Sequence, residues 1–135
     1  MNRAAVHAAD HDPRALTPVN FQSDEQHDSI REAVRTLCAR FDAHYWLEKD
    51  KHGGFPLDFH RAMADAGWLG ICTPEAYGGS GLGITEASIL MQTIAESGAG
   101  LSGASSIHMN IFGLQPVVVY GTEEQKQRFL PPLVK

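Results

Sequence analysis

The sequence predicts an all-α fold, a bundle of five to six helices with a glycine-rich loop between the second and third. Three observations carry this. Apolar residues recur at helical spacing in segment after segment. Helix starts are marked by capping residues and helix ends by glycine or proline. The single β-prone run, Val117-Val118-Val119, has no partner strand elsewhere, and a lone strand cannot pair. With 135 residues, 43% hydrophobic and 20% charged, the chain has enough apolar side chain for a core without disulfides or metals.

Residues Met1 to about Asn20 read as a mobile tail, since Pro13, Pro18, His and Asp interrupt any apolar period. The domain is expected over 21–135. His7 and His11 are four apart, but no second cluster supports a metal site. The first helix is expected from Asp24 to His44. Ser23 and Gln26 form a capping box, and Ile30, Val34, Leu37, Cys38 and Phe41 make one face. The charged stretch Glu48–Gly54 is expected as a loop. Pro56 then opens a second helix with Phe59, Met63 and Ala66 on one side, and Gly67 closes it. Trp68 to Pro74 reads as a short extended connector.

Four glycines in the six positions 78–83 mark a turn with positive φ angles. No βαβ frame surrounds it and no Lys-Ser/Thr pair ends it, so it reads as a tight structural turn rather than a phosphate cradle. A third helix is expected from Thr85 to Ser97, buried through Ala87, Leu90, Met91, Ile94 and Ala95, and ended by Gly98 and Gly100. Ser102 to Tyr120 should form two helical pieces broken at Gly113 and Pro116. Their apolar character predicts a central segment covered on most sides. Thr122 and Gln125 then cap a last helix, and Pro131-Pro132 stops it.

Charge and cysteine content narrow the function. The net charge is -5, no Lys or Arg lies between Arg61 and Lys126, and no charged residue lies between Ser97 and Thr122. A nucleic-acid groove needs cations that this central half does not offer. Cys38 and Cys72 lack metal-site spacing and read as free, buried thiols in a reducing compartment. No apolar run approaches a membrane span and no signal-peptide core is evident, so a cytoplasmic protein is expected. Asp65, Glu75, Glu86 and Glu96 form no recognisable acid–base pair and read as solvated or capping groups. His108, alone in the uncharged stretch, reads as a core or pocket-wall histidine.

In order, the segments resemble the N-terminal domain of the acyl-CoA dehydrogenases. The likeness rests on Gly67-Trp68-Leu69-Gly70-Ile71-Cys72-Thr73-Pro74-Glu75-Ala76-Tyr77-Gly78-Gly79-Ser80-Gly81-Leu82-Gly83, on Ser106-Ile107-His108-Met109-Asn110, and on the run from Tyr120 to Pro131. It covers about Phe21 to Lys135. The resemblance implies FAD, an acyl-CoA substrate, an electron-transfer partner and a homo-oligomer for the full-length enzyme. In that family a carboxylate takes the α proton and the flavin accepts a hydride from Cβ. By the same resemblance, His108, Met109 and Phe112 would line the acyl tail. The flavin-binding β-segment and the glutamate base would lie beyond Lys135, so no catalytic residue is expected here and the 135 residues alone should be inactive. A flavin monooxygenase of the same fold and a non-enzymatic helical interaction module are the alternatives. Helices that pack on other domains in the full-length family should leave an apolar face exposed, with self-association or poor solubility of the isolated chain.

Overall fold

A computed structural model describes residues 24–134. Its helices are α1 (Glu25–Cys38), α2 (Ala43–His52), α3 (Leu57–Asp65), α4 (Ile84–Ile94), α5 (Gly100–Phe112), α6 (Gln115–Tyr120) and α7 (Glu123–Phe129). No strand occurs among the described residues. The expected tail and Ser23 lie outside them.

Helices α1, α3, α4 and α5 pack as a closed four-membered ring, each touching its neighbours on either side. Its centre is filled by Val34 of α1, Phe59 and Met63 of α3, Leu90 and Ile94 of α4 and Ile107 of α5, all with 0% exposure. Burying a side chain of this size contributes about 1.5–3 kcal/mol. Asp24 caps α1 by accepting from the His27 N–H at 2.8 Å. The α1 stripe is the one expected, extended N-terminally by His27.

The helix expected over Asp24–His44 is two helices, and the expected loop from Glu48 is largely the second. The chain turns after Cys38, and Asp42 starts α2 by accepting from the Tyr45 N–H at 2.9 Å. The turn brings Trp46 onto α3. Its Nε1 donates to the Phe41 carbonyl at 3.1 Å, and its ring meets Phe59 edge-on at 5.1 Å. Phe41 meets Tyr45 and Phe59 edge-on at 5.1 and 5.3 Å. Such pairs add about 0.5–1.5 kcal/mol each beyond burial. Long-range aromatic packing therefore overrides a local period that would have continued the helix.

Pro56 and Gly67 bracket α3 as expected, with Gly67 at φ 80°. The expected extended connector is instead helical turn, with a short 3₁₀ segment at Trp68–Gly70 and another at Glu75–Tyr77. The glycine loop folds back on this connector. Ser80 N–H donates to Gly70 O at 3.0 Å, Gly81 N–H to Thr73 O at 2.9 Å and Leu82 N–H to Ile71 O at 2.9 Å. Gly79 is required by space: an added Cβ would lie 2.6 Å from Gly70 O, 2.5 Å from Thr73 Cβ and nearer still to Thr73 O.

Helix α4 ends where a wide turn at Ala95–Ala99 places Gly98 at φ 97°. The uncharged stretch is helical in two pieces, α5 and α6, as expected, with the break at Gly113 and Leu114; Pro116 does not break the chain but sits in the first turn of α6. The stretch is not covered on most sides. Leu101, Met109, Val119 and Tyr120 are 82%, 64%, 53% and 87% exposed. Only the face carrying Ala104, Ile107 and Ile111 is in the core. The Thr122–Gln125 capping box forms in both directions, at 2.9 and 3.3 Å. Beyond α7, Pro131–Leu133 makes one 3₁₀ turn, and Val134 then comes to rest against Gly70 and Gly78.

Candidate functional site

The site begins with the seam between the glycine loop and the C-terminal half of α5. Leu82, Gly83 and Ile84 lead into α4 on one side, and Ile111, Phe112 and Gln115 lie on the other. With Cys72 they enclose a cleft of about 330 Å³. The local sequence explains its form. The folded-back loop puts Leu82 beside Ile71, and the helical period of α5 turns Ile111 and Phe112 toward it. The lining carries no formal charge. Such a cleft can accept an apolar chain and offers an ion no partner.

Of the three residues expected at a site, Phe112 lines this cleft. His108 stands one turn earlier, with its ring centre 6.4 Å from that of Phe112. It is half-buried, and its Nδ1 is 3.5 Å from the Ser105 carbonyl. Met109 does not share the cleft. It is 64% exposed and lines a separate groove of about 290 Å³ with Asn110, Gly113, Leu114 and Leu133. One helical position separates His108 from Met109, so the two diverge by about 100° around α5.

Sequence reasoning missed the polar support behind the cleft. Glu86 reads as a capping group and is one: its Oε2 accepts the Gly83 N–H at 2.9 Å. Its Oε1 also lies 3.2 Å from Nε2 of His27, on α1. That histidine is 8% exposed. The Glu86 carboxyl sits below its ordinary value, first through its own backbone N–H, then through His27 and Gly83, against the opposing effect of burial. Cys72 is half-buried rather than buried, while Cys38 is buried as expected, and both are free. The Cys72 thiol donates to Gly83 O at 3.5 Å. Burial, and then the Glu86 charge, push it up, so it stays a thiol rather than a nucleophilic thiolate. Among the described residues no three His, Cys, Asp or Glu side chains are grouped to hold a metal. None of the described helices is long and apolar enough to cross a membrane.

This geometry defines a helical domain that presents an uncharged, mostly apolar cleft and leaves large apolar side chains of α5 and α6 exposed. A family model for the acyl-CoA dehydrogenase N-terminal domain matches residues 24–135, and the chain belongs to that family. It is 32% identical over 117 residues to the probable acyl-CoA dehydrogenase YngJ of Bacillus subtilis, covering 85% of this chain and 30% of that protein. Over 85 residues it is 42% identical to the mitochondrial isobutyryl-CoA dehydrogenase of Dictyostelium discoideum, covering 63% of this chain and 20% of that one. A solved structure from work on the electron transferring flavoprotein of Acidaminococcus fermentans superposes with a TM-score of 0.70 at 28% identity, covering 85% of this chain and 30% of that chain. The chain thus spans about 30% of the length of the first of these relatives.

The family is FAD-dependent, and the cleft can be tested for that group. A dinucleotide's diphosphate needs cations or free helix N-terminal amides. No Lys or Arg lines the cleft, and the Glu86 carboxylate already sits at the N-terminus of α4, on the Gly83 N–H, where it would repel a diphosphate. The cleft does not fit the dinucleotide, and no chemical step through it follows from these residues.

Proposed function

We propose that this chain provides one wall of the acyl-binding site of an FAD-dependent acyl-CoA dehydrogenase, an oxidoreductase of CH–CH bonds. His108, Met109 and Phe112 on the flank of α5 would contact the acyl tail. The observation that carries this is the uncharged cleft between the glycine loop and α5, in a chain whose match to the family runs from residue 24 to 135. Burial of each acyl CH₂ against such a wall contributes about 0.8 kcal/mol. The absence of Lys and Arg between Arg61 and Lys126 agrees with a domain that leaves the CoA phosphates to other parts of the enzyme. By the same reading the whole enzyme is a homo-oligomer that passes electrons to a partner flavoprotein. The 135 residues by themselves turn nothing over.

Calorimetry with octanoyl-CoA and with CoA alone tests the wall. Octanoyl-CoA should bind more tightly than CoA, and Phe112→Asp should remove most of that difference, at least about tenfold, because it places a charge in an apolar cleft. Equal binding of the two ligands, or no effect of Phe112→Asp, would refute the reading.

A further inference from the structure

A capping glutamate needs only the backbone N–H it accepts. Glu86 has more around it than that, and the surplus points at the cleft. Its second oxygen is engaged by His27, a buried side chain that belongs to a different helix. His27 is itself flanked by a second carboxylate, with Nδ1 3.5 Å from Asp24 Oδ1. Burying an imidazole between two carboxylates is costly compared with an apolar side chain of similar size, and α1 needs no such group for its core. Among the described residues, Asp24, the N-cap of α1, and Glu86 on α4 are the ionisable groups shown against it.

The beneficiary is Gly83. Its N–H is held by Glu86 at 2.9 Å and its carbonyl accepts from the Cys72 thiol at 3.5 Å. Its carbonyl also accepts the Ala87 N–H at 3.1 Å, the first backbone bond of α4, so the N–H is the end of this cleft-lining residue that depends on a side chain alone. Glycine is the most pliant residue of the chain, and neither neighbour on the lining, Leu82 or Ile84, has a polar side chain that could hold it.

We infer that Glu86 is a positioning residue, and that His27 acts through it to fix Gly83 and so the loop-side wall of the acyl cleft. The inference rests on the acyl-wall reading for its purpose, though not for its geometry. With His27 in place the carboxylate has one orientation, both its oxygens being used. Without it the carboxylate keeps only its backbone donors, its own N–H and that of Gly83, and the Gly83 N–H opens more often.

His27→Leu is the informative variant, because leucine fills the buried position and leaves the Glu86–Gly83 bond free to form. Amide hydrogen exchange by NMR reads the result. Exchange at Gly83 should quicken about fivefold to tenfold, as expected for weakening a charge-assisted bond, while Ile94 and Ile107 amides in the core keep their relative rates. Glu86→Ala should quicken it at least as much. An unchanged Gly83 rate in His27→Leu, or a rate that rises only in step with Ile94 and Ile107, would overturn the inference and leave Glu86 a simple cap. Octanoyl-CoA calorimetry on the same proteins separates the two readings. Faster Gly83 exchange with weaker octanoyl-CoA binding supports both. Faster exchange in a chain whose wild type does not distinguish octanoyl-CoA from CoA keeps the positioning role and removes the acyl wall.

Discussion

Replacing Gly79 with alanine should unfold the glycine loop from its seat, and the cost can be worked from the contacts. The added methyl would meet two carbonyl oxygens, those of Thr73 and Gly70, and the Thr73 Cβ at 2.5 Å. None of these is the tip of a flexible side chain, so the backbone itself must move. Overpacking of this kind costs about 1–3 kcal/mol. The same two carbonyls accept the Gly81 and Ser80 N–H groups at 2.9 and 3.0 Å, and losing one such bond adds about 1 kcal/mol. The expected total is about 3 kcal/mol, a large part of the stability of a domain this size. Gly81 is the control. It has φ +63° and its nearest neighbour would be Glu75 Cγ at 3.6 Å, so alanine there has room and meets only left-handed strain, about 1–2 kcal/mol. Urea unfolding followed by the fluorescence of Trp46 and Trp68 measures both. If Gly79→Ala lost less stability than Gly81→Ala, the loop would not be held by close backbone approach, and a phosphate-cradle reading of its glycines would regain its force.

Two further outcomes follow from the structure. Asp42→Ala removes the acceptor for the Tyr45 N–H and should cost about 1 kcal/mol in the same unfolding assay; no loss would mean that the α1–α2 break is held by the aromatic packing of Phe41, Tyr45 and Trp46. Glu86 has a lowered pKa in the folded chain, so its contribution to stability is present above the unfolded value near 4.3 and is lost as pH falls through the folded value. The urea midpoint should therefore drop as pH falls below about 4.3, and drop less in Glu86→Gln; parallel curves for the two proteins would refute that assignment.

The helices whose ends are set locally were legible in the sequence. Thr122 and Gln125 cap α7 as their spacing requires, and Gly67, Gly98 and Gly100 stop or turn the chain where glycine was expected. The α1–α2 break was not legible, because Phe41 continues the α1 period and the forces that end the helix come from Phe59, eighteen residues later on α3. The covered position expected for Ser102–Tyr120 failed for a related reason. Apolar composition reports what a segment can bury, while Leu101 and Tyr120 show that this fold leaves part of it outward. His27 did leave a trace, since it falls on the stripe of Ile30, Val34 and Leu37, three, seven and ten positions on. A polar side chain on an apolar stripe asks for a buried partner, but nothing in the spacing names Glu86.

The placement of Phe112 and Met109 bears on what α5 can do. Phe112 lines the cleft against the glycine loop, and Met109 lines the groove beside Leu133. Residues three apart on a helix are offset by about 60°, so the two look into neighbouring hollows along one flank. A single chain-like ligand that met both, and His108 on the far side of Phe112 from Met109, would have to lie across this flank. The glycine loop backs only the Phe112 end of this flank, while Leu101 on α5 and Val119 and Tyr120 on α6 are left exposed. A helix so arranged is suited to be one side of a slot, and an acyl chain bound to it gains its full burial only when another surface closes over it.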